Sequence, residues 1–216
     1  MFLLLLSSCL ARSAPITGVT QTWTYDPETH RGTVHIVNVS HKNITAYSIG
    51  VYITQRGGSA FIASERGQEF SLTPFAPGET KDQVESAGQS MENADLTNPD
   101  NIHAEVDVVI YEDDTAEVTN QRAFDSIIAN RKAKLAAMKK VSEVVSELDD
   151  PAAIVAELKR LSSLAMASGD DIGSIEMDNA VTRMPKDKAA LPAFLTEHEQ
   201  RVAGLTAHVN IKVVRP

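Results

Sequence analysis

The chemistry open to this chain rests on six histidines, one cysteine and a surplus of carboxylates. His30, His35 and His41 fall near one expected hairpin, yet no carboxylate or thiolate stands at a spacing that completes a zinc motif. His198-Glu199 lacks the second histidine of the zincin pattern, so the histidines read as surface residues. There is no Gly-x-Ser-x-Gly elbow, no Gly-rich phosphate loop and no thiol beyond Cys9, and Gly57-Gly58 reads as a turn. No catalytic residue and no cofactor are expected on these grounds. A hydrolase built in space from distant residues is the enzymatic alternative.

The most oxygen-rich stretch is Glu92 to Asn101, where Asp95, Asn98 and Asp100 are the calcium candidates. It lacks the order of an EF-hand loop and its glycine, and a solvated loop between strands is the competing reading. Arg131-Lys132-Ala133-Lys134 and Lys139-Lys140 make one segment basic. They suit a solvated helix face, an anionic membrane surface or an acidic partner.

Positioning elements follow from periodicity. The run Phe2–Leu6, ending in small residues, predicts an export signal over 1–14 and is too short to span a bilayer. Leu6-Ser7-Ser8-Cys9 resembles a lipobox, making Cys9 a lipidation candidate and membrane attachment its consequence. The other reading is cleavage after Ala11 or Ala14, which discards Cys9. In both, the mature chain has no cysteine for a disulfide.

From 15 to 120 the pattern alternates with period two between turn residues, which predicts about seven strands in an immunoglobulin-like antiparallel β-sandwich. Val19, Gln21, Trp23 and Tyr25 share one face; Val34 with Ile36, then Tyr47, Ile49, Val51 and Ile53, continue the core. Phe61-Ile62 and Phe70 with Leu72 predict two short strands, and Val106, Val108 and Ile110 a later one that turns at Glu112-Asp113-Asp114. From 121 to 216 the period becomes helical, so the fold class is α+β, a sandwich followed by a helical region. Phe124, Ile127, Ile128, Leu135, Met138, Val141, Val145 and Leu148 mark one long helix. Asp150-Pro151 starts a second that runs to Gly169; a third is expected over 174–183 and a fourth from about Pro192. The alternation Val209, Ile211, Val213 admits a final strand.

Between Pro15 and Asn120 there are five Lys or Arg against sixteen Asp or Glu, while the helical part is nearly balanced. An acidic domain without a basic, aromatic face excludes nucleic acid as partner.

The stretch Gly32 to Tyr47, with Asn38, Ser40, Lys42 and Ile44, resembles the signature of small bacterial exported sandwich domains, the FxLYD-like group. Pro77-Gly78-Glu79-Thr80 is similar to the turn these domains place before a later strand, while Tyr52-Ile53-Thr54-Gln55 stands where the name-giving motif falls. The resemblance covers about the first half and implies an envelope or extracellular setting without catalytic residues. Read from the residues alone, Asn38, Ser40 and Asn43 close a turn by bonding their own backbone. The expected function is a non-catalytic, exported, envelope-associated binding or scaffold module with an unknown protein partner. A self-associating helical bundle is the alternative.

Overall fold

The computed structural model describes residues 15–54, 60–69, 74–86 and 95–214, with the backbone alone over 60–69. Cys9 and the export segment, Arg56 to Ser59, Phe70, Leu72 and Glu92 to Ala94 lie outside the described residues. The chain is α+β: antiparallel sheets first, then four helices. It divides into two units, one of residues 1–123 and 213–216, the other of 124–212.

In the first unit β1 (Val19–Asp26), β2 (Arg31–Asn38) and β5 (Thr80–Ser86) form a sheet in the order β1-β2-β5. β3 (Ile44–Thr54), β4 (Ala60–Glu69), β6 (Ile102–Tyr111), β7 (Thr115–Val118) and β8 (Lys212–Val213) form the other, in the order β4-β3-β6-β7-β8. Burial of β-branched side chains drives the assembly: Val34 and Ile36 from one sheet join Ile49, Val51 and Ile53 from the other in a single cluster, all at 0% exposure. Trp23 and Tyr25 pack against it as the alternation requires. Gln21, on the same face, uses its amide to bond the backbone of β6, accepting from Val106 N–H at 2.7 Å.

Strand expectations change in two places. β4 carries the strand expected at Phe61-Ile62, while the one expected at Phe70 and Leu72 lies outside the described residues. Strand β5, which begins at the Pro77–Thr80 turn, is missing from the alternation: its Val84 is exposed and its Glu85 buried, an inversion tolerated on an edge strand. In β6 a register shift between Val106 and Val108 moves the alternation by one residue. Val106 and then Val109 and Tyr111 enter the core cluster, while Val108 and Ile110, equally buried, lie outside it.

Asn38, fully buried, is the centre of the β2–β3 turn. Its Nδ2 donates to the carbonyls of Lys42 (2.9 Å) and Phe75 (2.8 Å), and its Oδ1 accepts from the Ser40 N–H (3.0 Å) and hydroxyl (2.6 Å). Every hydrogen-bonding direction of the amide is therefore used, which a buried asparagine needs. Asn43 departs from the expectation: it reaches Glu112 at 2.7 Å instead of closing its own turn.

In the second unit α1 (Gln121–Glu147), α2 (Pro151–Ala167), α3 (Asp171–Arg183) and α4 (Leu191–Ala207) follow one another. Asp150 caps α2 through the N–H groups of Ala152 and Ala153, with Pro151 at the first helical position. Gly169, at φ 80°, ends α2, and Asp170 caps α3 through the Gly173 N–H at 2.8 Å. Val141, Val144, Val145, Ile154, Leu158, Met177, Ala180 and Leu191 form its core.

The chain leaves the first unit after Ala123 and rejoins it at Val213, where the Val214 N–H donates to the Ala116 carbonyl at 2.8 Å.

Candidate functional site

A concavity lies where β1 turns into β2. Asp26 shapes the turn: its carboxylate accepts from the Glu28 N–H (2.9 Å) and the Thr29 hydroxyl (2.8 Å). The Thr29 bond, then the Glu28 bond, holds this carboxyl below the usual range. His30 closes the turn at φ 53°, and Tyr25 bridges its ring (3.2 Å) and the Leu96 carbonyl (3.2 Å). The resulting depression, of about 290 Å³, is lined by Thr24, Tyr25, Asp26, Thr29, Arg31, Gly32 and Thr33. Gly32 is required there, since a Cβ would stand 1.9 Å from the Trp23 ring. Arg31 is exposed and has no ion pair or hydrogen bond among the described residues. A guanidinium with five donors beside threonine hydroxyls is equipped to take a carboxylate or a polyol.

A second polar group stands on β6 and β3. His103, Glu105 and Asp107 alternate on one side of β6, and Tyr52 of β3 stacks on His103 with ring centroids 5.2 Å apart. His103 is 3.6 Å from Glu105. The Tyr52 hydroxyl donates to Asp107 at 2.7 Å, and the Asn120 amide reaches the same carboxylate at 3.4 Å. Burial first, then the bond to Asp107, pushes the Tyr52 hydroxyl well above the ordinary phenol value. Asp107 is 1% exposed, and its carbonyl accepts the Thr119 N–H at 2.8 Å. The carboxylate is thus a tie that fixes the approach to α1, whose Ala123 N–H is bonded by Asn120 at 3.1 Å.

Glu117 is a second buried carboxylate. It accepts from the Tyr111 hydroxyl (2.7 Å), the Thr17 hydroxyl (3.0 Å) and N–H, and the Gly18 N–H (3.3 Å).

The helical unit holds a third polar group. His198, contrary to its reading as a surface residue, is 2% exposed, and its Nε2 lies 2.7 Å from the Met138 carbonyl. Burial, ahead of the opposing Met138 bond, lowers its proton affinity, and Arg183 and Arg201 lower it further. Of the basic residues of α1, Arg131 is buried and donates to the His208 carbonyl at 3.0 Å, Lys134 pairs with Glu176 at 3.4 Å, and Lys140 pairs with Glu143.

The calcium candidates are engaged locally. Asp95 Oδ1 accepts from the Thr97 N–H and hydroxyl, Asn98 Oδ1 caps a short 3-10 turn through the Asp100 N–H at 3.0 Å, and Asp100 is exposed in that turn. Among the described residues no group of three or more His, Cys, Asp or Glu side chains is arranged to hold a metal ion. No described helix is long and apolar enough to cross a membrane.

The chain matches no family model, no characterised protein and no solved structure.

Arg31 and its threonines carry no distinguishing signal in the sequence, because an Arg after a turn is commonplace on surfaces. The burial of His198 does have a signal in the sequence: the residue stands three after Leu195 and four before Val202, in step with the apolar positions of its helix.

Proposed function

We propose that the chain is a non-catalytic binding module exported to the cell envelope, with an immunoglobulin-like β-sandwich of the FxLYD-like kind presenting the β1–β2 turn to its ligand. The sandwich reading is supported by the single core cluster shared by the two sheets. The binding reading rests on one observation above the others: the Arg31 side chain stands without a partner among the described residues, beside Thr24, Thr29 and Thr33 in a concavity. The use of the buried ionisable groups supports a non-catalytic role, since Asp107, Glu117 and His198 each hold backbone or neighbouring side chains in place.

The test is a titration of the isotopically labelled mature chain with a neutral hexose, a hexuronate and a short acidic peptide, followed by NMR. Shifts clustered at residues 24–33, abolished by Arg31→Ala, are expected for at least one probe. Shifts elsewhere, or shifts that survive Arg31→Ala, overturn the assignment. Export is read separately from the mass of the N-terminus made in a bacterial host. Lipid on Cys9, or cleavage after Ala11 or Ala14, fits the proposal, and an unprocessed Met1 does not.

A second reading, self-association through the helical unit, is favoured by Leu164, Met166 and Ile175, each more than half exposed. Sedimentation of the wild type against Leu164→Glu tests it; a concentration-independent monomer removes it.

A further inference from the structure

The helical unit fastens its last helix to its first through an ionisable ring. His198 of α4 is 2% exposed and places Nε2 2.7 Å from the carbonyl of Met138 in α1. A carbonyl only accepts, so Nε2 carries the hydrogen and the neutral ring keeps a lone pair at Nδ1. That Nδ1 is buried and has no hydrogen-bond partner among the described residues. Phe194, one turn earlier, stacks on the ring at a centroid distance of 6.0 Å and an angle of 10°.

The surroundings disfavour a second proton. The charged groups that act on the ring are Arg183 and Glu176 of α3 and Arg201 of α4; around them, Lys134 of α1 pairs with Glu176 and Glu197 of α4 acts on Arg183. Lys134 and Glu176 pair with each other at 3.4 Å, leaving Arg183 and Arg201 against Glu197. Protonating the ring adds a buried N–H with no acceptor and a third positive charge beside two guanidinium groups.

We propose that His198 is a proton-operated latch: neutral, it holds the first half of α4 on α1; protonated, it releases that half and uncovers Phe194 and Leu195. Both side chains pack on the core of the unit in the closed state. The release is local to α4 because α2 and α3 contain no histidine. α2 and α3 meet through the Ser162 and Ser174 hydroxyls at 2.9 Å and through apolar side chains. Beyond the far end of α4, the His208 carbonyl is held by the Arg131 guanidinium at 3.0 Å.

The sign follows from linkage. The closed ring takes up its proton at lower pH than an exposed imidazole, which titrates near about pH 6.5. The closed state is at full strength above that value and weakens as the pH falls below it, because the open state then binds the proton more tightly.

Amide hydrogen exchange of the full chain at about pH 7.5 and about pH 5 reads this directly, once corrected for the intrinsic pH dependence of exchange. Protection in the first half of α4 should fall by up to about tenfold per pH unit below 6.5, with α2 and α3 unchanged. In His198→Gln, whose amide still donates to Met138 but takes no proton, the pH dependence of α4 should vanish. Flat protection in the wild type, loss shared by α2 and α3, or a loss that persists in His198→Gln overturns the latch. Should that variant fail to fold, an NMR titration of the wild-type ring decides: a ring that titrates together with α4 opening upholds the proposal, and one that titrates without it refutes it.

Discussion

The Tyr111 hydroxyl donates to the Glu117 carboxylate at 2.7 Å, and the same carboxylate accepts the N–H groups of Thr17 and Gly18. A strand near the middle of the chain thereby secures the segment that leads into β1. Gly18 lies so close that a Cβ there would fall 1.6 Å from the Tyr111 oxygen. Tyr111→Phe removes one donor from a buried carboxylate and should destabilise the first unit by about 1–3 kcal/mol. Denaturant unfolding followed by the fluorescence of Trp23 measures it; a loss below about 0.5 kcal/mol contradicts the assignment.

Gly32→Ala places a methyl against Trp23 and should cost about 1–3 kcal/mol through overpacking. Trp23 is the sole tryptophan. Its emission should shift to longer wavelength as the ring is displaced, and an unchanged spectrum would show that the ring and the turn do not meet as described.

Tyr52 and Tyr111 should not ionise with an ordinary phenol. Burial first, then the bonds to Asp107 and Glu117, raise both above the usual value. Because the folded state binds the phenolic proton more tightly, these groups contribute full stability below about pH 10 and lose it as the pH rises beyond. Absorbance of the phenolate should therefore rise in one step with alkaline unfolding. Early ionisation of all four tyrosines in a folded chain would rule this out.

Asp150→Ala removes the cap of α2, leaving the Ala152 and Ala153 N–H groups without their acceptor. The expected loss is about 0.5–2 kcal/mol, concentrated in the second unit. Hydrogen exchange separates the units, and a loss confined to the strands would be the wrong outcome.

These elements differ in how openly the sequence displays them. Val34 and Ile36, or Asp150-Pro151, announce their strand and helix because burial and capping act on neighbours in the chain. β5 is hidden because Val84 faces outward and Glu85 inward on an edge, so its pattern has the wrong sign. The expected line Val106, Val108, Ile110 is broken by a bulge, and nothing local says that one residue will be extruded. Thr24, Thr29, Arg31 and Thr33 become a group only when two strands pair across a turn. His198 and Arg131 were on the helix stripes throughout, but a polar residue on an apolar stripe signals burial only when something across the interface accepts its hydrogen bond.

The return of the chain at Val213 has a consequence for synthesis. β8 is made after all four helices, whereas its neighbour β7 is made before them. With about 90 residues between them and translation at about 5–20 residues per second, the rim of β7 waits several seconds for its last neighbour. During that interval a nascent sheet exposes an unfinished margin, and the exposure ends only when Val214 meets Ala116.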